Sequence, residues 1–146
     1  MSKVFITRKI PDTGIKLLEE QKNESKRLFA KYKKKYQLIK NLSTIPGIDS
    51  IRAVPIASIL CSSERFHSKH KIWSYAMLVR HTEESDGVIY GSKTKYGRKE
   101  LKGIFIGAAE SALRTKSSLR KYYDQLRSKG FDHKKARRSV ARRIAA

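Results

Sequence analysis

The segment of this chain best suited to chemistry of its own is a turn: Leu42-x-x-Ile45-Pro46-Gly47-Ile48-x-x-Ile51-x-Ala53. The spacing is that of a helix-hairpin-helix, two short helices crossing over a tight Pro-Gly turn. Gly47 can take backbone angles closed to other residues. Backbone N–H groups then point outward beside the positive end of the following helix, a cradle for phosphate that needs no charged side chain. Ile45, Ile48, Ile51 and Ala53 would pack the Pro46-Gly47 turn between the helices, and Arg52 or neighbouring lysines could add phosphate pairing. Such a cradle reads backbone shape, not base sequence, and its affinity falls with salt. The same residues also fit an ordinary Pro-Gly turn between two core helices.

Other chemistries leave no pattern. Four histidines (His67, His70, His81, His133) and one cysteine do not make a zinc site: His67 and His70 stand three apart, but no second pair follows. There is no P-loop, no protease triad and no G-x-G-x-x-G after a strand. Cys61, alone in an apolar segment, reads as a small core residue, and a single cysteine suits a reducing cytosol.

Charge is the strongest global signal. The 146 residues carry Lys+Arg 34 against Asp+Glu 13, a net +21. Half of those cations lie from Lys93 onward against four carboxylates, and a second basic block spans Lys22–Lys40. A protein this basic attracts polyanions, of which nucleic acid is the commonest in a cytosol. The 39% of hydrophobic residues suffices for a core, so this is no disordered polycation. The longest nearly apolar stretch, Val54–Cys61, is too short to cross a bilayer, and MSKVFITRK lacks a signal-peptide pattern.

The elements that must carry these residues read as mainly α. Lys3–Arg8 alternates like a short strand, Pro11–Gly14 reads as a turn, and IKLLEEQ as a short helix. Glu24–Leu42 reads as an amphipathic helix whose stripe (Leu28, Phe29, Tyr32, Tyr36, Ile39, Leu42) should face a core. Further helices are expected over Asp49–Ser62, capped by Asp49 or Ser50 and bent by Pro55, and over Lys69–Val79 behind Ser68. Residues 80–98 read as loop with room for a small hairpin. Lys99–Lys129 is the longest expected helix, stopped by Gly130, and Asp132 should cap a last basic helix to Ala146. The division expected is a β-α appendage over 1–22 and a helical DNA-binding domain over 23–146.

From Leu42 onward these residues resemble the C-terminal domain of insertion-sequence transposases of the IS one-ten/one-sixteen group. The resemblance rests on ordered stretches: Leu42-x-x-IPGI, Arg65-Phe66-x-Ser68, Trp73-x-Tyr75-Ala76-x-Leu78, Glu84-Ser85-Asp86-Gly87, Lys95-Tyr96-Gly97-Arg98-Lys99-x-Leu101, Ala108-Ala109, and Lys134-Lys135-Ala136 to Ala141-Arg142-Arg143. It implies a role in transposition and DNA recombination, with Ser85 as nucleophile on a DNA phosphodiester. An unassisted serine hydroxyl is a poor nucleophile. In the family an acidic, RuvC-like domain with metal-binding carboxylates completes the site, so magnesium is expected only with that domain and no cofactor in this chain. Two departures stand out: Asp86 follows the serine where the family has Gly, and Val79-Arg80-His81 replaces a Gly-Leu-x-Pro-like turn. Lys93, Lys95, Arg98 and Lys99 could clamp phosphates around the reacting bond or form a solvated loop. Arg137, Arg138, Arg142 and Arg143 fit a loosely binding terminal helix.

The first twenty residues, MSKVFITRKIPDTGIKLLEE, resemble instead the opening β-α unit of D-2-hydroxyacid dehydrogenases, which suggests a fusion scar. The expectation is thus a cytoplasmic, truncated transposase that binds DNA, inactive alone, with a guide-like RNA, a second copy or a full-length transposase as further partners. The competing expectation is a non-catalytic nucleic-acid-binding regulator of a full-length transposase.

Overall fold

The computed structural model describes residues 11–79, 81–85, 88–93 and 97–146. The strand read over Lys3–Arg8, like Lys95 and Asp86, lies outside the described residues. The order is α1 (Asp12–Lys35), α2 (Gln37–Leu42), α3 (Ser50–Leu60), a 3₁₀ turn (Ser63–Arg65), α4 (Lys69–Tyr75), strands β1 (His81–Ser85) and β2 (Val88–Lys93), α5 (Lys99–Leu113), α6 (Ser118–Ser128) and α7 (His133–Ile144). The fold is mainly α, with one antiparallel hairpin inside the 80–98 segment. In that hairpin Ser85 pairs with Val88 and His81 with Lys93, and the register slips between Glu83 and Glu84.

The N-terminal half departs from its expected outline. Pro11-Asp12-Thr13-Gly14 is not a separate turn: Pro11 sits at the N-cap and the Gly14 N–H donates to its carbonyl at 2.8 Å, opening α1. Pro is tolerated there, and Asp12 favours the positive helix end. The two expected helices then merge, because nothing between Gly14 and Lys35 breaks the backbone. The break comes at Tyr36, whose backbone is extended (φ −112°, ψ 119°). It decides which side chains reach the core: α1 buries none of its residues, whereas Ile39 in α2 is buried. The expected apolar stripe is therefore only partly a core face, with Leu28, Tyr32 and Tyr36 exposed.

The core gathers around α5, which contributes Leu101, Phe105, Ala108, Ala109 and Ala112. Small residues at 108, 109 and 112 let neighbouring backbones approach closely. α3 packs Ala53 and Ile56 there, and α7 packs Val140, Ala141 and Ile144. Leu101 is wholly buried, and truncating such a side chain costs about 2–5 kcal/mol.

The expected single helix over Lys99–Lys129 is two helices. Around Arg114–Ser117 the hydroxyls of Thr115 and Ser117 both donate to the Ala112 carbonyl, at 3.1 and 3.2 Å, and Arg120 Nη1 donates to Leu113 O at 2.9 Å. Orphan carbonyls at the end of α5 are thereby satisfied, and Ser117 accepts from the Arg120 N–H to start α6. Gly130, at φ 81°, follows the end of α6, and Asp132 caps α7 by accepting from the Lys134 N–H at 3.0 Å, both as read. The same contact, with the His133 N–H and nearby Arg127, holds the Asp132 carboxyl below its usual range. Cys61 is not in the core: it is exposed at the end of α3, at φ 59°.

Candidate nucleic-acid interface

α2 and α3 flank the Pro46-Gly47 turn, which the Ile48 N–H closes on Ile45 O at 3.0 Å. Gly47 has φ 87°, as the third position of a type II turn requires. Its hydrogen-only face is pressed into α5: a Cβ there would lie 2.1 Å from Ala108 O. Ile48 is buried, Ile45 half-buried and Pro46 exposed. Ile51, expected to pack the turn, is 47% exposed because α3 directs it away from α5.

Arg52 is engaged within the fold. Its Nη1 donates to Gly47 O at 3.1 Å, and its guanidinium lies across Gly107 of α5. Its backbone N–H donates to Asp49, whose carboxylate caps α3. That end of the helix already holds a negative charge, which would repel a phosphate arriving there.

A second constellation forms where α4 ends and α5 begins. The Arg98 N–H donates to Tyr75 O at 2.7 Å, pinning together the two stems of the β1–β2 hairpin that carries Ser85. The approach is close enough to demand glycine: a Cβ on Gly97 would lie 2.6 Å from Tyr75 O and 2.7 Å from Met77 Cγ. Beside this junction lies a cleft of about 530 Å³, lined by Arg65, Phe66, His67, Lys71, Tyr75 and Arg98 among others. Phe66 and Tyr75 form an aromatic wall, ring centres 5.4 Å apart.

Two guanidinium groups frame that wall. Arg98 Nε donates to the Tyr75 hydroxyl at 3.4 Å. Arg65 donates to Leu60 O at 3.2 Å, capping α3, and this holds its guanidinium over both rings, 5.6 Å from Phe66 and 5.9 Å from Tyr75. The hydrogen bond from Arg98, joined by the charges of Arg98 and Arg65, holds the Tyr75 phenol below its usual value of 10.0 against the opposing effect of burial. A site that favours phenolate oxygen also favours phosphate oxygen.

The remaining expected residues divide between this junction and the far end of the hairpin, where Ser85 pairs with Val88. Ser85 ends β1, Lys93 ends β2, Arg98 lines the cleft and Lys99 begins α5. Arg65, Phe66 and Tyr75 were legible as residues but not as a cluster, since no spacing rule brings 65, 75 and 98 together. Among the described residues, no three of His, Cys, Asp or Glu converge on a point that could hold a metal. Among them, too, no helix is long and apolar enough to cross a membrane.

The described residues thus form a mainly helical module with an arginine-framed aromatic cleft. The Transposase IS116/IS110/IS902 family matches residues 39–124, more than half of the chain, and the chain belongs to that family. Its role is accordingly in transposition. No curated protein matches it.

Proposed function

We propose that the chain acts in transposition as a DNA-binding module that presents Ser85 to a DNA phosphodiester. Strand cleavage would depend on an acidic domain, with its divalent metal, acting together with this one. The observation that carries this reading is the cleft at the hairpin stems. Arg65 and Arg98 offer paired donors for one phosphate, and Phe66 and Tyr75 offer faces on which an unpaired base can stack. In the reaction the serine oxygen bonds to phosphorus, the leaving strand's oxygen departs, and it takes the proton that the serine gives up.

The binding half is tested by fluorescence anisotropy on a DNA duplex carrying one unpaired nucleotide, against the same duplex fully paired. Tighter binding to the first, lost in Tyr75→Ala, is expected; equal binding to both would remove the cleft from the account. The chemical half needs a supplied acidic domain and DNA from the ends of the element. Cleavage by wild type but not by Ser85→Ala is expected. Cleavage by both would sink the serine assignment, and DNA binding with no cleavage by either would favour a non-catalytic regulator.

A further inference from the structure

A second basic surface lies on the other side of the α4–α5 junction, and the transposition reading leaves it unused. α5 and α7 enclose a groove of about 400 Å³ lined by Met77, Lys99, Lys102, Gly103, Ile106, Lys134, Arg137 and Arg138. Five of these are cations, two from α5 and three from α7. Among the described residues lining it there is no carboxylate and no aromatic ring. The spacing explains the convergence. Lys99, Lys102, Gly103 and Ile106 fall at i, i+3, i+4 and i+7, one face of α5, and Lys134, Arg137 and Arg138 fall at i, i+3 and i+4 on α7. Arg137 is tied to Glu110 of α5, which fixes one wall against the other. Gly103 keeps the groove open, for it is exposed and a Cβ there would meet nothing within 4 Å.

We infer that this groove binds the phosphate backbone of duplex DNA flanking the nucleotide held in the cleft. Cations from two helices facing a common channel suit a polyanion. With no aromatic face on which a base could stack, the groove suits nucleic acid whose bases are already paired. The cleft differs in that respect, and the two surfaces adjoin: Arg98 lines one and Lys99, the next residue, lines the other. DNA crossing the start of α5 would be paired on the groove side and unpaired on the cleft side. The inference extends the cleft reading, although the groove can bind duplex whether or not the cleft takes a base.

The test uses the full chain with a labelled, fully paired duplex and a labelled single strand, titrated across salt. Lys102→Gln with Lys134→Gln should weaken duplex binding about tenfold or more and lower the slope of log affinity against log salt by about 1.8. Single-strand binding should change by less than about twofold. Gly103→Glu should mimic the loss by placing negative charge in the groove, while Gly103→Gln retains more affinity; helix propensity favours both replacements over glycine, so folding is not at risk. Unchanged duplex affinity and salt slope in the lysine pair would overturn the inference. So would equal retention of affinity by both Gly103 variants, or tighter binding of an RNA duplex than of DNA. If Tyr75→Ala leaves single-strand binding intact while the groove variants lose the duplex, the cleft reading alone fails.

Discussion

The Pro46-Gly47 turn and the Tyr75–Arg98 cleft both look suited to phosphate, and they differ in how much of their polarity the fold already uses. At the turn, Gly47 is pressed against Ala108, Asp49 caps α3, and Arg52 is spent on Gly47 O. At the cleft, Arg98 donates to a neutral phenol and Arg65 to a carbonyl, so neither guanidinium is balanced by a carboxylate partner among the described ion pairs. A familiar motif can be satisfied from within, while a cluster with no local signature keeps positive charge for a ligand.

Breaking the turn should have the largest effect. Gly47→Val combines a left-handed backbone with a collision against α5 and should cost at least about 3 kcal/mol, read as a fall in Tm. Native-like melting would mean that the turn is not wedged as described. Next comes Arg98→Ala, which should lower affinity for DNA with an unpaired nucleotide about tenfold at nearly constant Tm. Arg52→Ala is expected to reverse that pattern, costing about 1–2 kcal/mol of stability with little change in affinity. A larger loss of binding than of stability there would return the turn to the interface.

Ser117→Ala, remote from both regions, should cost about 1 kcal/mol through the lost α6 cap and leave binding alone. The smallest effect is on pH dependence. The Tyr75 phenol is lowered in the folded chain, so its contribution is present above its unfolded value and is lost as pH falls through its folded value. Stability should therefore gain on approaching pH 10 from below relative to Tyr75→Phe, and tyrosinate absorbance should show one early-titrating ring. Coincident titration of all tyrosines would show that the two arginines do not act on it.

Local rules read much of this fold. Asp49, Gly130 and Asp132 mark helix ends through contacts one to three residues away, and the glycines of the 80–98 segment left room for a hairpin. Rules of the same reach missed the α5–α6 break, although Thr115 and Ser117 were there to signal it, because Lys99–Lys129 has helical periodicity on both sides. Long-range geometry was out of reach. Cys61 sits in an apolar run, yet the end of α3 turns it to solvent, and the stripe on α1 looks like a core face but leaves Leu28 and Tyr32 exposed. The site divides in the same way. Gly47 is conspicuous in the sequence, whereas Tyr75 meets Arg98 only because the chain leaves and returns through a hairpin. The basic face of α7 was visible, but its opposition to Lys99 and Lys102 depends on the packing of α5 against α7.

Trp73 is the chain's one tryptophan, and its indole N–H donates to Arg142 O at 2.8 Å while the Arg142 and Lys69 cations lie over its ring. α4 is thereby fastened to the helix that forms one wall of the groove. The fastening also equips the protein with a built-in optical gauge. Its tryptophan emission comes from a single indole whose surroundings change when α7 lifts away, so selective excitation of that indole follows detachment of the helix in unlabelled protein.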